Sequence, residues 1–189
     1  MVTKKKTDKK TAKKAAKKVT KKVVKKESAA VIESGTLKIG DAAPLFSLSD
    51  QNGKTVSLKD FKGQKVVVYF YPKALTPGCT VQACSLTDSK ADLKKNNIVA
   101  LGISADPVKK LKQFEEKYKL NFSLLSDESK EVIAAYGSWG LKKFMGREFM
   151  GILRQSFLID EKGKVLHIMH KVNTKTHHED VMKIFKNLG

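Results

Sequence analysis

Cys79 closes the segment Tyr71-Pro-Lys-Ala-Leu-Thr-Pro-Gly-Cys79, directly after the apolar run Lys65-Val-Val-Val-Tyr-Phe-Tyr71. This spacing predicts a strand followed by a helix whose first turn holds the cysteine. A helix start presents partial positive charge and unpaired N–H groups, and both favour thiolate over thiol. The thiolate is the nucleophile, so position alone makes Cys79 a candidate for attack on an electrophile. Pro72 and Thr76 lie in the same loop, and Cys84, five residues further on, is the only other cysteine. A lone pair of cysteines is more often a buried apolar pair than a redox couple. Both interpretations stand at this point.

The elements that must position these residues can be read on either side. Pro44-Leu-Phe-Ser-Leu-Ser-Asp50 and Lys54-Thr-Val-Ser-Leu58 flank Asn52-Gly53, a hairpin-turn signal. The run 65–71 is continuously apolar, as in a strand buried on both faces. Residues 78–95 read as helix, Ile98–Ser104 as a second buried strand, 107–119 as an amphipathic helix, 122–125 as a short strand and 128–136 as helix. Gln155–Asp160 and Lys164–Met169 bracket Glu161-Lys-Gly163 as a second hairpin, and 176–188 closes as helix. His167 and His170 then fall near the end of the last strand. The order predicts an α/β fold with a mixed central sheet and helices on both faces.

Charge separates the chain into two parts. Residues 1–26 hold 13 lysines against one acid, Asp8, so +12 of the net +19 lies there and +7 in the remainder. Lysine pairs recur every four residues from Lys9-Lys10 to Lys25-Lys26, a composition that predicts a disordered tail over 1–35 and a folded domain over 36–189. The tail is similar in composition to those of linker histones and some bacterial nucleoid proteins. Its charge predicts nonspecific, salt-sensitive DNA or RNA binding through phosphates, without base specificity. A solubilising extension, anionic-membrane binding and nuclear targeting are competing expectations. No apolar run reaches the roughly 18 residues of a membrane span, and the N-terminus lacks a secretory apolar region. Two cysteines are too few for a disulfide-stapled scaffold, which favours a reducing compartment. The cytoplasm, near the nucleoid, is the expected location, with the nucleus as alternative.

Pro72-x-x-x-Thr76-x-x-Cys79 resembles the peroxidatic signature of peroxiredoxins. The longer string through Cys84 resembles the peroxiredoxin Q group, also called bacterioferritin comigratory protein. Asp41-Ala-Ala-Pro44, Tyr136-Gly-Ser-Trp-Gly140 and Gly151-Ile-Leu-Arg-Gln-Ser-Phe-Leu-Ile-Asp160 extend the resemblance over about residues 36–189. It implies a thioredoxin-like fold and reduction of hydrogen peroxide and organic hydroperoxides, without metal or other cofactor. Thioredoxin or a similar dithiol would be the reductant, and the protein a monomer.

By the same resemblance, Cys79 is the peroxidatic nucleophile and Thr76 orients peroxide and thiolate. Arg154 stabilises developing negative charge through its donor fork, and Pro72 walls the pocket. Cys84 is implied as the resolving cysteine. On an intact helix its Cα would stand roughly 8–9 Å from that of Cys79, whereas a disulfide needs about 4.4–6.8 Å. The segment from Cys79 to about Leu86 must therefore unwind in each cycle. This chain departs from the common pattern at Ala74 and Gln82, where acidic residues are usual, and at Thr87, near which an arginine is usual. An obvious C-terminal Tyr-Phe extension is missing, which implies resistance to overoxidation.

Other features admit plainer interpretations. Trp139, Phe144 and Phe149 could line a docking surface or pack in the core. His177-His178 is expected to be a solvated pair, not a metal site. Two rival functions are a thiol–disulfide oxidoreductase, disfavoured by the lack of Cys-x-x-Cys, and a nucleic-acid-binding architectural protein with a redox-responsive domain.

Overall fold

The computed structural model describes residues 37–144 and 146–188; the lysine-rich stretch and the boundary expected after residue 35 lie outside the described residues. Seven strands form one mixed sheet, in the spatial order β2 (Thr55–Ser57), β1 (Ser47–Asp50), β5 (Ser123–Ser126), β4 (Ile98–Ser104), β3 (Lys65–Phe70), β8 (Gln155–Ile159) and β9 (Val165–Met169). The two apolar runs become its centre, β3 (Lys65–Phe70) and β4 (Ile98–Ser104), paired in parallel, with Val67 opposite Ala100. β5 (Ser123–Ser126) continues the parallel set, while β8 (Gln155–Ile159) and β9 (Val165–Met169) run antiparallel on the other side. The expected hairpin around Asn52-Gly53 is present, shorter, as β1 (Ser47–Asp50) and β2 (Thr55–Ser57) at one edge. This is the thioredoxin-like α/β arrangement, a mixed sheet flanked by helices.

Alternation along β3 builds two apolar layers. Val67, Tyr69 and Tyr71 point to a layer closed by α1 (Pro77–Asp88), α2 (Lys90–Lys95), α3 (Val108–Tyr118) and α5 (His177–Leu188). Val66, Val68 and Phe70 point to the other layer, covered by the segment before β1, a 3₁₀ turn at Leu58–Phe61 and α4 (Glu131–Ala135). The Tyr69 ring lies across Gly102 of β4, where an added Cβ would stand 2.7 Å from it. Gly102 is thus required by packing, since anything larger would drive the ring out of a dense core.

Two elements differ from the sequence expectation. The helix over 78–95 is two helices, because Ser89 leaves helical geometry and its hydroxyl turns back to the Ser85 carbonyl at 2.9 Å. A separate two-stranded sheet, β6 (Trp139–Phe144) with β7 (Arg147–Ile152), was not anticipated. Trp139 packs partly into the second layer with Lys130 over its ring, whereas Phe149 and Met150 are exposed. The Phe144 side chain lies outside the described residues.

Candidate active site

β3 delivers the chain to the site, and the connection between β4 and α3 pins it there. After Phe70, the backbone leaves the sheet with Tyr71 N–H still bonded to the Ile103 carbonyl at 3.2 Å. The Ala74 N–H donates to Asp106 Oδ2 at 2.7 Å, and Asp106 is itself held by Ser104 Oγ and Lys110 Nζ. That buried carboxylate anchors the loop between Pro72 and Thr76. The loop is strained as well as anchored, for Leu75 occupies the left-handed region at φ 66°.

The same turn starts α1. Thr76 is the N-cap and Pro77 follows at the first helical position, where its missing N–H costs nothing. The Thr76 hydroxyl donates to the Lys73 carbonyl at 2.8 Å and makes no cap bond to the helix. Its oxygen keeps a lone pair for an incoming donor, and the first-turn N–H groups of α1 are not taken by it. Pro72 and Thr76 are half-buried at the loop, and Cys79 is buried in the first turn at 2% exposure. Cys84 lies on the same intact helix, half-buried, and both thiols are free.

Arg154, just before β8, reaches across to α1. Its Nη2 donates to Cys79 Sγ at 3.3 Å and its Nη1 to Gln82 Oε1 at 2.5 Å. The fork therefore ties one helix residue to the sulfur and is pre-organised to hold negative charge there. Gly78 lies beside the guanidinium: a Cβ on it would stand 3.4 Å from Arg154 Nη2, in van der Waals contact. Burial, then the charge of Asp88, pushes the Cys84 thiol up, which keeps it a poor nucleophile while α1 is wound.

Residues 39–168 match the AhpC/TSA family. The chain belongs to that family. It is 55% identical over 150 residues to peroxiredoxin Bcp of Escherichia coli (strain K12), spanning 79% of this chain and 96% of that one. It is 40% identical over 154 residues to peroxiredoxin Bcp of Bacillus subtilis (strain 168), spanning 82% and 98%. Among solved structures it resembles peroxidoxin BcpB of Mycobacterium tuberculosis, with TM-score 0.71, 32% identity, and coverage of 81% and 99%. The Xanthomonas campestris bacterioferritin comigratory protein gives TM-score 0.71 and 30% identity, with coverage of 75% and 90%. As a peroxiredoxin, this chain is a thiol-dependent peroxidase.

Two groups around the peroxiredoxin site were not singled out from sequence, and a third was misread. Asp106 is one. Lys142 of β6 is another: burial lowers its pKa, with the Arg154 charge adding, while its ammonium donates to the Ile152 carbonyl at 2.9 Å. The third is His177, for which the expectation of a solvated histidine pair fails. His177 is fully buried, with Nδ1 3.2 Å from Gln82 Nε2 and Nε2 2.9 Å from Ser156 Oγ, so packing and two partners replace water. His178 is half-buried, its Nδ1 3.0 Å from Ser85 Oγ. His170 follows β9 directly, its Nδ1 3.0 Å from Gln155 Nε2. Among the described residues no group of three or more His, Cys, Asp or Glu could hold a metal ion, and no helix is long and apolar enough to cross a membrane.

Burial first, then the charges of Arg154 and His178, lowers the His177 pKa from 6.5 to about 4. The folded protein thus refuses a proton that the unfolded chain accepts. The contribution is complete above pH 6.5 and is lost as pH falls towards about 4, by on the order of 3 kcal/mol. Urea unfolding at pH 7.5 and 4.5 should show this loss, and His177→Asn should show a distinctly smaller one. Parallel acid limbs for the two proteins would contradict it.

Proposed function

We propose that this peroxiredoxin reduces hydrogen peroxide and organic hydroperoxides with Cys79 as nucleophile and Cys84 as resolving residue. The Cys79 thiolate attacks the terminal peroxide oxygen, a sulfur–oxygen bond forms, the O–O bond breaks, and the electron pair leaves on the alkoxide. That product takes a proton to become alcohol or water, and Cys79 is left as sulfenic acid. The Cys84 thiolate then attacks the Cys79 sulfur, the disulfide forms and hydroxide leaves, taking a proton to become water. A dithiol such as thioredoxin returns two electrons and two protons by exchange.

The single observation that carries this is the Arg154 fork, with one arm on Cys79 Sγ and the other on Gln82. Charge builds on sulfur and then on the departing oxygen, and a fixed guanidinium stabilises both without reorganising. Thr76 Oγ1, with its hydrogen committed to Lys73, serves as acceptor for the peroxide O–H, and Pro72 walls the pocket. The alkyl peroxide reduction reported for the Xanthomonas campestris relative supports organic hydroperoxides as substrates.

Resolution requires α1 to open, because both cysteines ride one helix. Unwinding withdraws Leu86 from full burial, a cost of about 1.5–3 kcal/mol. It also releases Thr80 Oγ1, buried without a partner, whose hydration returns about 1–3 kcal/mol. Oxidised protein is expected to lose amide protection and helical circular dichroism over residues 79–86. Identical protection in reduced and oxidised protein would contradict the unwinding.

The lysine-rich residues 1–26 carry +12, and we extend the proposal to nonspecific nucleic-acid binding by this stretch in a cytoplasmic, monomeric enzyme. Removing residues 1–35 should abolish DNA retardation at low salt and leave peroxidase turnover within about twofold. Lost turnover on truncation would favour a binding protein with a redox-responsive domain.

A further inference from the structure

The hydrogen bonds leading away from Arg154 can be polarised in only one sense. A guanidinium has donors and no acceptor, so the Gln82 atom facing Nη1 must be the amide oxygen. The Gln82 nitrogen, with both hydrogens, therefore faces His177 Nδ1 at 3.2 Å, and Nδ1 must accept. The ring hydrogen then sits on Nε2 and is donated to Ser156 Oγ at 2.9 Å. His177 is fully buried, edge-on to Tyr69 with ring centroids 5.7 Å apart, so its ring cannot swing to another partner without repacking.

We propose that His177 is a positioning residue for the reaction at Cys79, acting through Gln82 on Arg154. By accepting from the Gln82 amide it gives the nitrogen end a partner, which keeps the oxygen end on Nη1 and the second arm of the fork on sulfur. Without that acceptor the buried amide must leave an N–H unpaired or move away, and either change loosens Arg154. The chain of contacts runs from α5 through α1 to the residue before β8, so three elements far apart in sequence fix one guanidinium. It also belongs only to the wound form of α1: Gln82 lies between the two cysteines and leaves both partners when the helix opens. His177 thus supports attack on peroxide and has no part in the later closure of the disulfide. This inference rests on Cys79 being the nucleophile.

Two similar-sized substitutions separate positioning from simple filling of space. In His177→Asn the side-chain oxygen falls where Nδ1 stands and keeps the acceptor for Gln82. In His177→Gln the amide falls where Nε2 stands, so the Ser156 contact survives and the Gln82 contact is lost. Rapid-quench mass spectrometry on the full chain at pH 7, with hydrogen peroxide, reads both steps. The Gln variant should slow oxidation of Cys79 about tenfold or more and leave the sulfenic-acid-to-disulfide step unslowed, whereas Asn should stay within about threefold of wild type. Adding Gln82→Glu to the Gln variant should restore the first step, because a carboxylate presents an oxygen to Arg154 whichever way it turns. Equal effects of Asn and Gln, or a slowed first step that Gln82→Glu does not restore, would overturn the proposal. The unsubstituted protein gives an independent reading: long-range ¹⁵N–¹H correlation should find His177 as the Nε2–H tautomer at neutral pH, and the Nδ1–H tautomer would overturn it. A wild-type chain whose Cys79 escapes oxidation would instead remove the underlying nucleophile assignment, whatever the tautomer.

Discussion

Cys79→Ser is expected to drop hydroperoxide turnover to the uncatalysed background, a loss on the order of 10⁴-fold or more. The substitution exchanges one buried atom and leaves the Arg154 fork, the Asp106 anchor and the α1 cap in place. What it removes is the sulfur. A serine hydroxyl stays protonated at neutral pH even beside a guanidinium, and its oxygen is a poor partner for the soft σ* orbital of an O–O bond. Peroxide consumption with a dithiol reductant measures the loss, and a circular dichroism melt within a few degrees of wild type shows that the fold survives. Residual turnover above about a hundredth of wild type would mean that Cys84 or another group attacks peroxide.

Arg154→Met is expected to slow oxidation of Cys79 about 10²–10³-fold, or about 3–4 kcal/mol of transition-state stabilisation. Methionine matches much of the stem volume and keeps packing near Gly78, so the loss isolates the donors. Two deficits add: the sulfur loses Nη2, and Gln82 Oε1 loses Nη1 and is left buried without a donor. Lysine should recover little, because a single ammonium cannot span both acceptors. Single-turnover peroxide consumption measures the rate. A rate within threefold of wild type for Met, or a Lys variant equal to wild type, would contradict the role given to the fork.

Both effects concern residues that stood out in the sequence, and the reason is local. Cys79 sits one turn beyond an apolar strand and a Thr-Pro start, so its backbone setting could be derived from its neighbours alone. β3 and β4 are short, nearly continuous apolar runs rich in β-branched and aromatic residues, a pattern that points to strands covered on both faces, and the centre of the sheet follows from them. Arg154 came from motif resemblance, since nothing in its own neighbourhood states that it crosses to α1.

The residues that escaped notice or were misread share a different property: their roles exist only after folding. Asp106 looks like an ordinary acid after a strand, but its partner Ala74 N–H is 32 positions away. His177 opens a polar helix start, Glu179 and Asp180 following, and a solvated pair was the natural inference. Its burial arises because α5 packs against α1, with Gln82 and Ser85 both turned towards the two histidines. The hairpin β6–β7 was hidden by interleaved lysines and exposed apolar residues such as Leu141 and Met150, which give no clean alternation. Ser89 ended α1 through a single back-bonded hydroxyl, too small a signal to place a helix break in advance.

One measurement bears on the central assignment most directly. Cys84→Ser protein, fully reduced and treated with one equivalent of hydrogen peroxide, should gain a single oxygen, trapped by dimedone on the peptide that contains Cys79. Oxygen found only on methionine, or Cys79 recovered as free thiol while peroxide is consumed, would contradict the assignment.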